Sequence, residues 1–323
     1  MPVGDANLAP AARPADAAPG ARPAAELPPE VRRHVEFPSH WLSTPQGRLH
    51  YADEGPKGAE QTLLFVHGNP TWSYHWRRLI KKFRGERRCV AMDHLGMGGS
   101  ELPPEPLRLA DHIDNVVRLI DTLDLRGVTL VAQDWGGSIG LGALEQRRDR
   151  FERIVLFNTG AFPPEKIPLR IDVCRTPVLG RWALQGLNAF SWAALRMTLS
   201  RSPDLPPGVG EAYLAPHPDW RRRRAVYDFV ADIPRNASHP TWQTLEKIEG
   251  GLPALAELPI CLIWGMKDWC FAPWCLERFL KSWPAAETHR LQDVGHWVVE
   301  DAPVEAEKIV AQFLGSTPAA GRQ

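Results

Sequence analysis

The amino-acid sequence predicts an α/β fold: a mostly parallel central sheet, flanked by helices, with a helical cap inserted between two of its strands. Short continuous apolar runs alternate with segments of helical periodicity, the pattern of βαβ units with helices on both faces. One of those runs passes straight into a helix opened by glycines, at Val131-Ala132-Gln133-Asp134-Trp135-Gly136-Gly137. From about Gly160 to Pro240 the strand rhythm stops, and after Pro259 it resumes.

Taken in chain order, Arg48 to Ala52 alternate and predict an antiparallel edge strand. Leu63 to His67, closed by Gly68, is a continuous apolar run and predicts a central parallel strand buried on both faces. Cys89 to Met92, Val128 to Ala132, Ile154 to Phe157 and Ile260 to Trp264 predict further strands, and Thr288 to Leu291 a weaker edge. Asp111 to Leu123 carries Ile113, Val116, Val117, Ile120 and Leu123 at helical spacing, a core-facing stripe. The later stretch is rich in Pro and Trp and has helical pieces such as Ala225 to Ala231. Inserted there, it covers the carboxyl ends of the strands, where open α/β sheets bind ligands. The expected division is a core at 34–159 and 241–315 with a helical cap at 160–240, between disordered tails at 1–33 and 316–323.

A chain of 323 residues is long enough for one large core with an inserted subdomain. Its 38 basic and 38 acidic residues balance, which gives no electrostatic reason for nucleic acid or an anionic membrane as main partner. Arg221 to Arg224, the one basic run, reads as a solvated face at a helix start. Five scattered cysteines suit a reducing compartment, and Cys270 and Cys275 lack a second ligand pair for zinc. No stretch reaches the roughly 18 consecutive apolar residues of a membrane span, and the Ala/Pro-rich start lacks the apolar core of a secretory signal. A cytoplasmic enzyme without metal or organic cofactor is expected.

The chemistry centres on Asp134. A nucleophile elbow needs a sharp strand-to-helix turn with small neighbours, here Ala132, Gly136 and Gly137. Alone, Asp134 would read equally as a helix N-cap. His67-Gly68-Asn69-Pro70 follows the first central strand, the loop that supplies an oxyanion-hole N–H, the other coming from Trp135. The Asn69 amide and the Trp135 indole add side-chain donors able to hold a leaving anion, while His67 reads as a support under the loop. His296, past the last strand in Asp293-Val294-Gly295-His296-Trp297, takes the place of the base. Its orienting acid is expected at Asp268, because Gly265-Met266-Lys267-Asp268 puts a carboxylate at a strand end and Asn158-Thr159-Gly160 does not. Ionised Asp134 would attack carbon to form an ester, and His296, oriented by Asp268, would activate water to cleave it. A carboxylate in a serine's place points to saturated or strained carbon: a carbon–halogen bond, an epoxide or a lactone ring.

These motifs, with Thr71-Trp72 and Asp93-His94-Leu95-Gly96-Met97-Gly98-Gly99-Ser100, resemble the haloalkane dehalogenase family of the α/β-hydrolase superfamily over about residues 40–315. The acid after the later strand, with Asn69 and Trp135 as the donor pair, resembles the third subfamily. That branch shades into the β-lactone decarboxylases of bacterial olefin biosynthesis, to which the segments from Asn158 to Pro163, Asn188 to Ser191 and Tyr213 to Pro234 are similar. The resemblance implies Asp134, His296 and Asp268 as triad, and Asn69 and Trp135 on the leaving group. It implies a small apolar substrate, a dialkyl β-lactone or a haloalkane, and assembly with pathway enzymes. Epoxide hydrolysis would use two cap tyrosines, for which only Tyr213 and Tyr227 are at hand. A binding module without catalysis would be expected to lack a triad position, and all three are filled. Trp182, Trp192, Trp220, Trp242, Trp269 and Trp274 are candidates for the pocket wall, though packing is the commoner fate of tryptophan.

Overall fold

The computed structural model describes residues 37–316. The tail expected at 1–33 and residues 317–323 of the other lie outside the described residues, and Ser316 ends the last helix. Eight strands form one sheet: β1 (His40–Thr44), β2 (Gly47–Glu54), β3 (Thr62–Val66), β4 (Arg88–Met92), β5 (Val128–Asp134), β6 (Phe151–Thr159), β7 (Ile260–Gly265) and β8 (Glu287–Leu291). Their order is β1-β2-β4-β3-β5-β6-β7-β8. The β1–β2 and β2–β4 pairings are antiparallel, and every pairing from β4 across to β8 is parallel. Each strand expected from the sequence is present. β1, which was not expected, pairs outside β2 and alternates between half-buried and exposed positions.

All of β3 and β5 is buried, because helices cover both faces of the sheet. Alternation divides the core. Leu64 and Val66 pack with Val116, Ile120 and Ile139 on one face. Leu63 and Phe65 pack with Trp76, Ile80 and Phe313 on the other. The first face is covered by α2 (Leu109–Thr122), whose stripe is the predicted one, and by α3 (Trp135–Gln146). The second is covered by α1 (Arg77–Phe83) and α12 (Pro303–Ser316).

Between β6 and β7 the chain is helical: α4 (Leu169–Cys174), α5 (Leu179–Arg181) running on through Trp182–Gly186, α6 (Ala189–Met197), α7 (Val209–Leu214), α8 (Arg224–Ala231) and α9 (Pro240–Gly251). The arginine run corrects the expectation of a solvated face. Arg222 donates to Ser100 O and Gly98 O, at 2.9 and 3.0 Å. Arg223 donates to Gln185 O and Gly186 O, and Arg224 to Pro104 O. A guanidinium carries five donors; Arg222 and Arg224 use theirs on loop carbonyls of the body and staple this layer to it, while Arg223 closes the layer on itself. The chain after β7 adds α10 (Pro273–Ser282) and, after β8, the short α11 (Val298–Asp301).

Candidate active site

Asp134 ends β5 with φ 55° and ψ −133°, a left-handed backbone that a residue with a Cβ adopts only at a cost of about 1–3 kcal/mol. The surroundings impose it. A Cβ at Gly136 would meet Val66 O of the neighbouring strand, and one at Gly68 would land on the Asp134 carboxylate. Two glycines thus let a helix start and a loop close on one carboxylate, which is 8% exposed. From the loop after β3, Asn69 N donates to Asp134 Oδ1 at 2.8 Å.

The structure brings His296 and Asp268 to the same point. His296 Nδ1 lies 2.7 Å from Asp268 Oδ2, and its Nε2 lies 3.4 Å from Asp134 Oδ2. Asp268 is further fixed by Cys270 N at 2.7 Å. Burial opposes a charged imidazole here, yet the carboxylates of Asp268 and Asp134 outweigh it and push His296 up to about 10. The resting ring is therefore an imidazolium between two carboxylates. Its folded pKa stands above the ordinary 6.5, so its contribution to stability is complete below that value and fades as pH rises towards about 10. A series of thermal melts across that window is expected to fall on the alkaline side, and the slope to shrink in His296→Phe.

Two apolar cavities meet at Asn69 and Asp134. One, of about 530 Å³, runs past His296, Met197, Ala194 and Trp269. The other, of about 120 Å³, runs past Trp135, Phe162, Val230 and Trp274. Ile171, Phe190 and Cys270 stand in both walls. The Asn69 side chain is partly committed, since Nδ2 donates to Val226 O of α8 at 3.1 Å and Oδ1 is buried without a partner. Trp135 leans edge-on against Phe229. Among the tryptophans, Trp269 and Trp274 line these two cavities, whereas Trp182, Trp192 and Trp220 are exposed away from them. Neither Tyr213 nor Tyr227 lines these two cavities; the Tyr213 hydroxyl is spent on His75 and Glu300. His67 is a support, bonded to Gly68 O and accepting from His94 N. Asp293 faces Arg201 at the surface.

Sequence reasoning missed the groups that hold the histidine loop. Asp301, 1% exposed, accepts N–H bonds from Gly295 at 2.7 Å, Ser200 at 2.9 Å, Arg201 at 3.1 Å and Ser202 at 2.7 Å. One carboxylate so ties the residues just before His296 to the end of the α6 segment. Gln133 donates to His296 O and contacts His75, which continues through Tyr213 to Glu300 and Arg77. The only signal was an acidic pair, Glu300-Asp301, directly after the apolar Trp297-Val298-Val299. Asp301→Ala would strand four N–H groups. It is expected to cost about 3–5 kcal/mol in chemical denaturation and to raise the mobility of the His296 loop, read by hydrogen exchange.

A carboxylate raised on a strained strand-to-helix turn, faced by a buried histidine–aspartate pair from loops beyond the last strands, defines an enzyme site of the α/β-hydrolase class. The chain belongs to the α/β hydrolase fold family, which matches residues 61–303. It is 34% identical to the cis-3-alkyl-4-alkyloxetan-2-one decarboxylase of Shewanella oneidensis, over 88% of this chain and 90% of that one. It is 32% identical to haloalkane dehalogenase 2 of Mycobacterium bovis, over 86% of this chain and 96% of that one. Among solved structures it is similar to haloalkane dehalogenase DpaA of Paraglaciecola agarilytica, with TM-score 0.75, 25% identity, and coverage of 91% of this chain and 96% of that one. These relatives bear out the resemblance drawn from the motifs.

Proposed function

We propose that this protein is a β-lactone decarboxylase acting on cis-3-alkyl-4-alkyloxetan-2-ones, with Asp134 as nucleophile, His296 and Asp268 completing the triad, and Asn69 and Trp135 holding the leaving group. One observation carries the choice: two apolar cavities, with largely different walls, both reach Asp134. A ring bearing an alkyl chain on each of two adjacent carbons fills both, whereas a 1-haloalkane has one chain and fills one. The decarboxylase relative supports the same reading.

The reaction balances with the groups at hand. A carboxylate oxygen of Asp134 attacks C4, and the C4–O bond breaks with its electron pair on the ring oxygen, leaving a carboxylate on C3. The C3–carboxylate pair then forms the C3=C4 bond as the C4–O bond to Asp134 breaks. Carbon dioxide and an alkene leave, and the Asp134 carboxylate is restored. Inversion at C4 followed by anti departure keeps the cis relation of the two chains. No water, metal or redox cofactor enters. The His296 imidazolium, 3.4 Å from Asp134, offsets the charge on the new carboxylate.

The second reading is haloalkane hydrolysis, favoured by one observation. His296 Nε2 is placed against Asp134 while Nδ1 is held by Asp268, the arrangement for activating water on an alkyl ester. Esterification removes the Asp134 charge, and with it part of what holds the proton on His296. Epoxide opening loses ground because neither tyrosine reaches the cavities. A paired assay decides. Alkene and carbon dioxide from a cis-3,4-dialkyl-β-lactone are expected, with little halide from 1-bromohexane; halide release without alkene would overturn the proposal. The protein is read as cytoplasmic and as a member of an olefin-forming pathway whose enzymes assemble, in keeping with five unpaired cysteines. The segment 160–240 is read as the cap, since it supplies most of the cavity walls on the far side of Asp134.

A further inference from the structure

The exposed apolar surface of this protein is concentrated in one place. Of ten large apolar side chains exposed among the described residues, seven fall between Leu169 and Trp192. Leu169, Val178, Leu179, Trp182 and Leu187 are each 61–77% exposed. The helices that carry them, α4, α5 with its continuation, and α6, pack on one another in sequence, which gathers these side chains into one region of the surface. Over residues 166–192 the charge is lopsided: Lys166, Arg170, Arg175 and Arg181 against Asp172 alone. Asp172 is already bonded by Arg175 and Arg235. Whole-chain neutrality had hidden this local surplus.

The cluster also borders the cavities. Lys166, Ile167, Arg170 and Cys174 line them, next in the chain to exposed Leu169 and Val173. Apolar side chains including tryptophan, set among cations on short helices, match the boundary between acyl chains and anionic headgroups. No helix of the described residues is long and apolar enough to cross a membrane, so contact would be peripheral. We propose that the 166–192 surface docks onto an anionic lipid bilayer, placing the cavity entrance at the phase in which an apolar substrate dissolves. Docking follows from the surface alone; only its purpose rests on the proposed function.

The test uses the full chain without substrate, floated with phosphatidylcholine vesicles with or without phosphatidylglycerol. Binding is expected to the anionic vesicles, to weaken as salt rises, and to be slight on phosphatidylcholine alone. Leu179→Ser with Trp182→Ser removes apolar burial and is expected to weaken binding by about tenfold or more. Arg181→Glu is expected to weaken it and to flatten its salt dependence. Both variants should keep wild-type melting and wild-type turnover of a short-chain, water-soluble substrate. Three results would overturn the proposal: no flotation with either vesicle, equal flotation with both, or unchanged binding by the Ser variant. So would concentration-dependent dimerisation abolished by the Ser substitutions without vesicle binding, which would assign the surface to a second copy. Because no catalysis is read in the flotation, a wrong substrate would leave its outcome untouched.

Discussion

Asp134→Asn is expected to lower turnover of lactone or haloalkane by roughly 10⁴- to 10⁶-fold, the scale seen when a covalent nucleophile is removed. The amide keeps an oxygen where Oδ1 accepts the Asn69 N–H, so the elbow should stand, and the melting temperature should fall only by what the His296–Asp134 charge contact contributed. What is lost is the negative charge proposed to attack carbon. The same change removes one of two carboxylates facing His296, whose burial otherwise disfavours the charged ring. The imidazole should therefore titrate well below the value near 10 reached in the wild type, as read by NMR. This variant also mimics the charge of the esterified enzyme, and so measures how far the base is released when the ester forms. Near-wild-type turnover, or an unmoved histidine titration, would sink the assignment of Asp134 as nucleophile and partner of His296.

The parts of this molecule that were legible in the sequence are those whose cause is local. β3 and β5 read as strands because helices bury both of their faces and their residues are apolar or small as far as Val66 and Ala132, whereas β1 alternates with exposed positions and carried no such run. Asp134 was legible because an elbow demands small neighbours within a few residues of itself. Asp268 and His296 were legible because each follows a strand by a short loop, at the end of the sheet where the chemistry gathers. Their supports were not. Gln133 reaches His296 O across 163 residues, and Asp301 gathers N–H groups from positions 200–202 as well as from Gly295. A carboxylate that serves backbone groups leaves no pattern in residue type. The arginine run failed for a related reason: its partners are carbonyls, and every residue has one.

His296→Phe separates the two readings by the fate of the ester. With a 1-haloalkane, Asp134 can still displace halide, but no base remains to deliver water. One equivalent of halide and an intact mass heavier by the alkyl group are expected, and steady-state turnover should drop by at least about 10³-fold. With a cis-dialkyl-β-lactone the ester has an internal exit: the carboxylate on C3 departs as carbon dioxide and expels Asp134 without water. The variant is then slowed by loss of the imidazolium beside the new carboxylate, yet it should continue to make alkene over many turnovers and accumulate little adduct. The ring itself is replaceable, since Phe fills much of the same volume against Phe271, on which His296 stacks at 5.6 Å. A stalled adduct with the lactone would mean that the second step needs a proton or water from position 296, and decarboxylation by direct expulsion of Asp134 would be wrong. Continued hydrolysis of the haloalkane would remove His296 from the site's chemistry, and the 2.7 Å bond to Asp268 would then be a structural tie and nothing more.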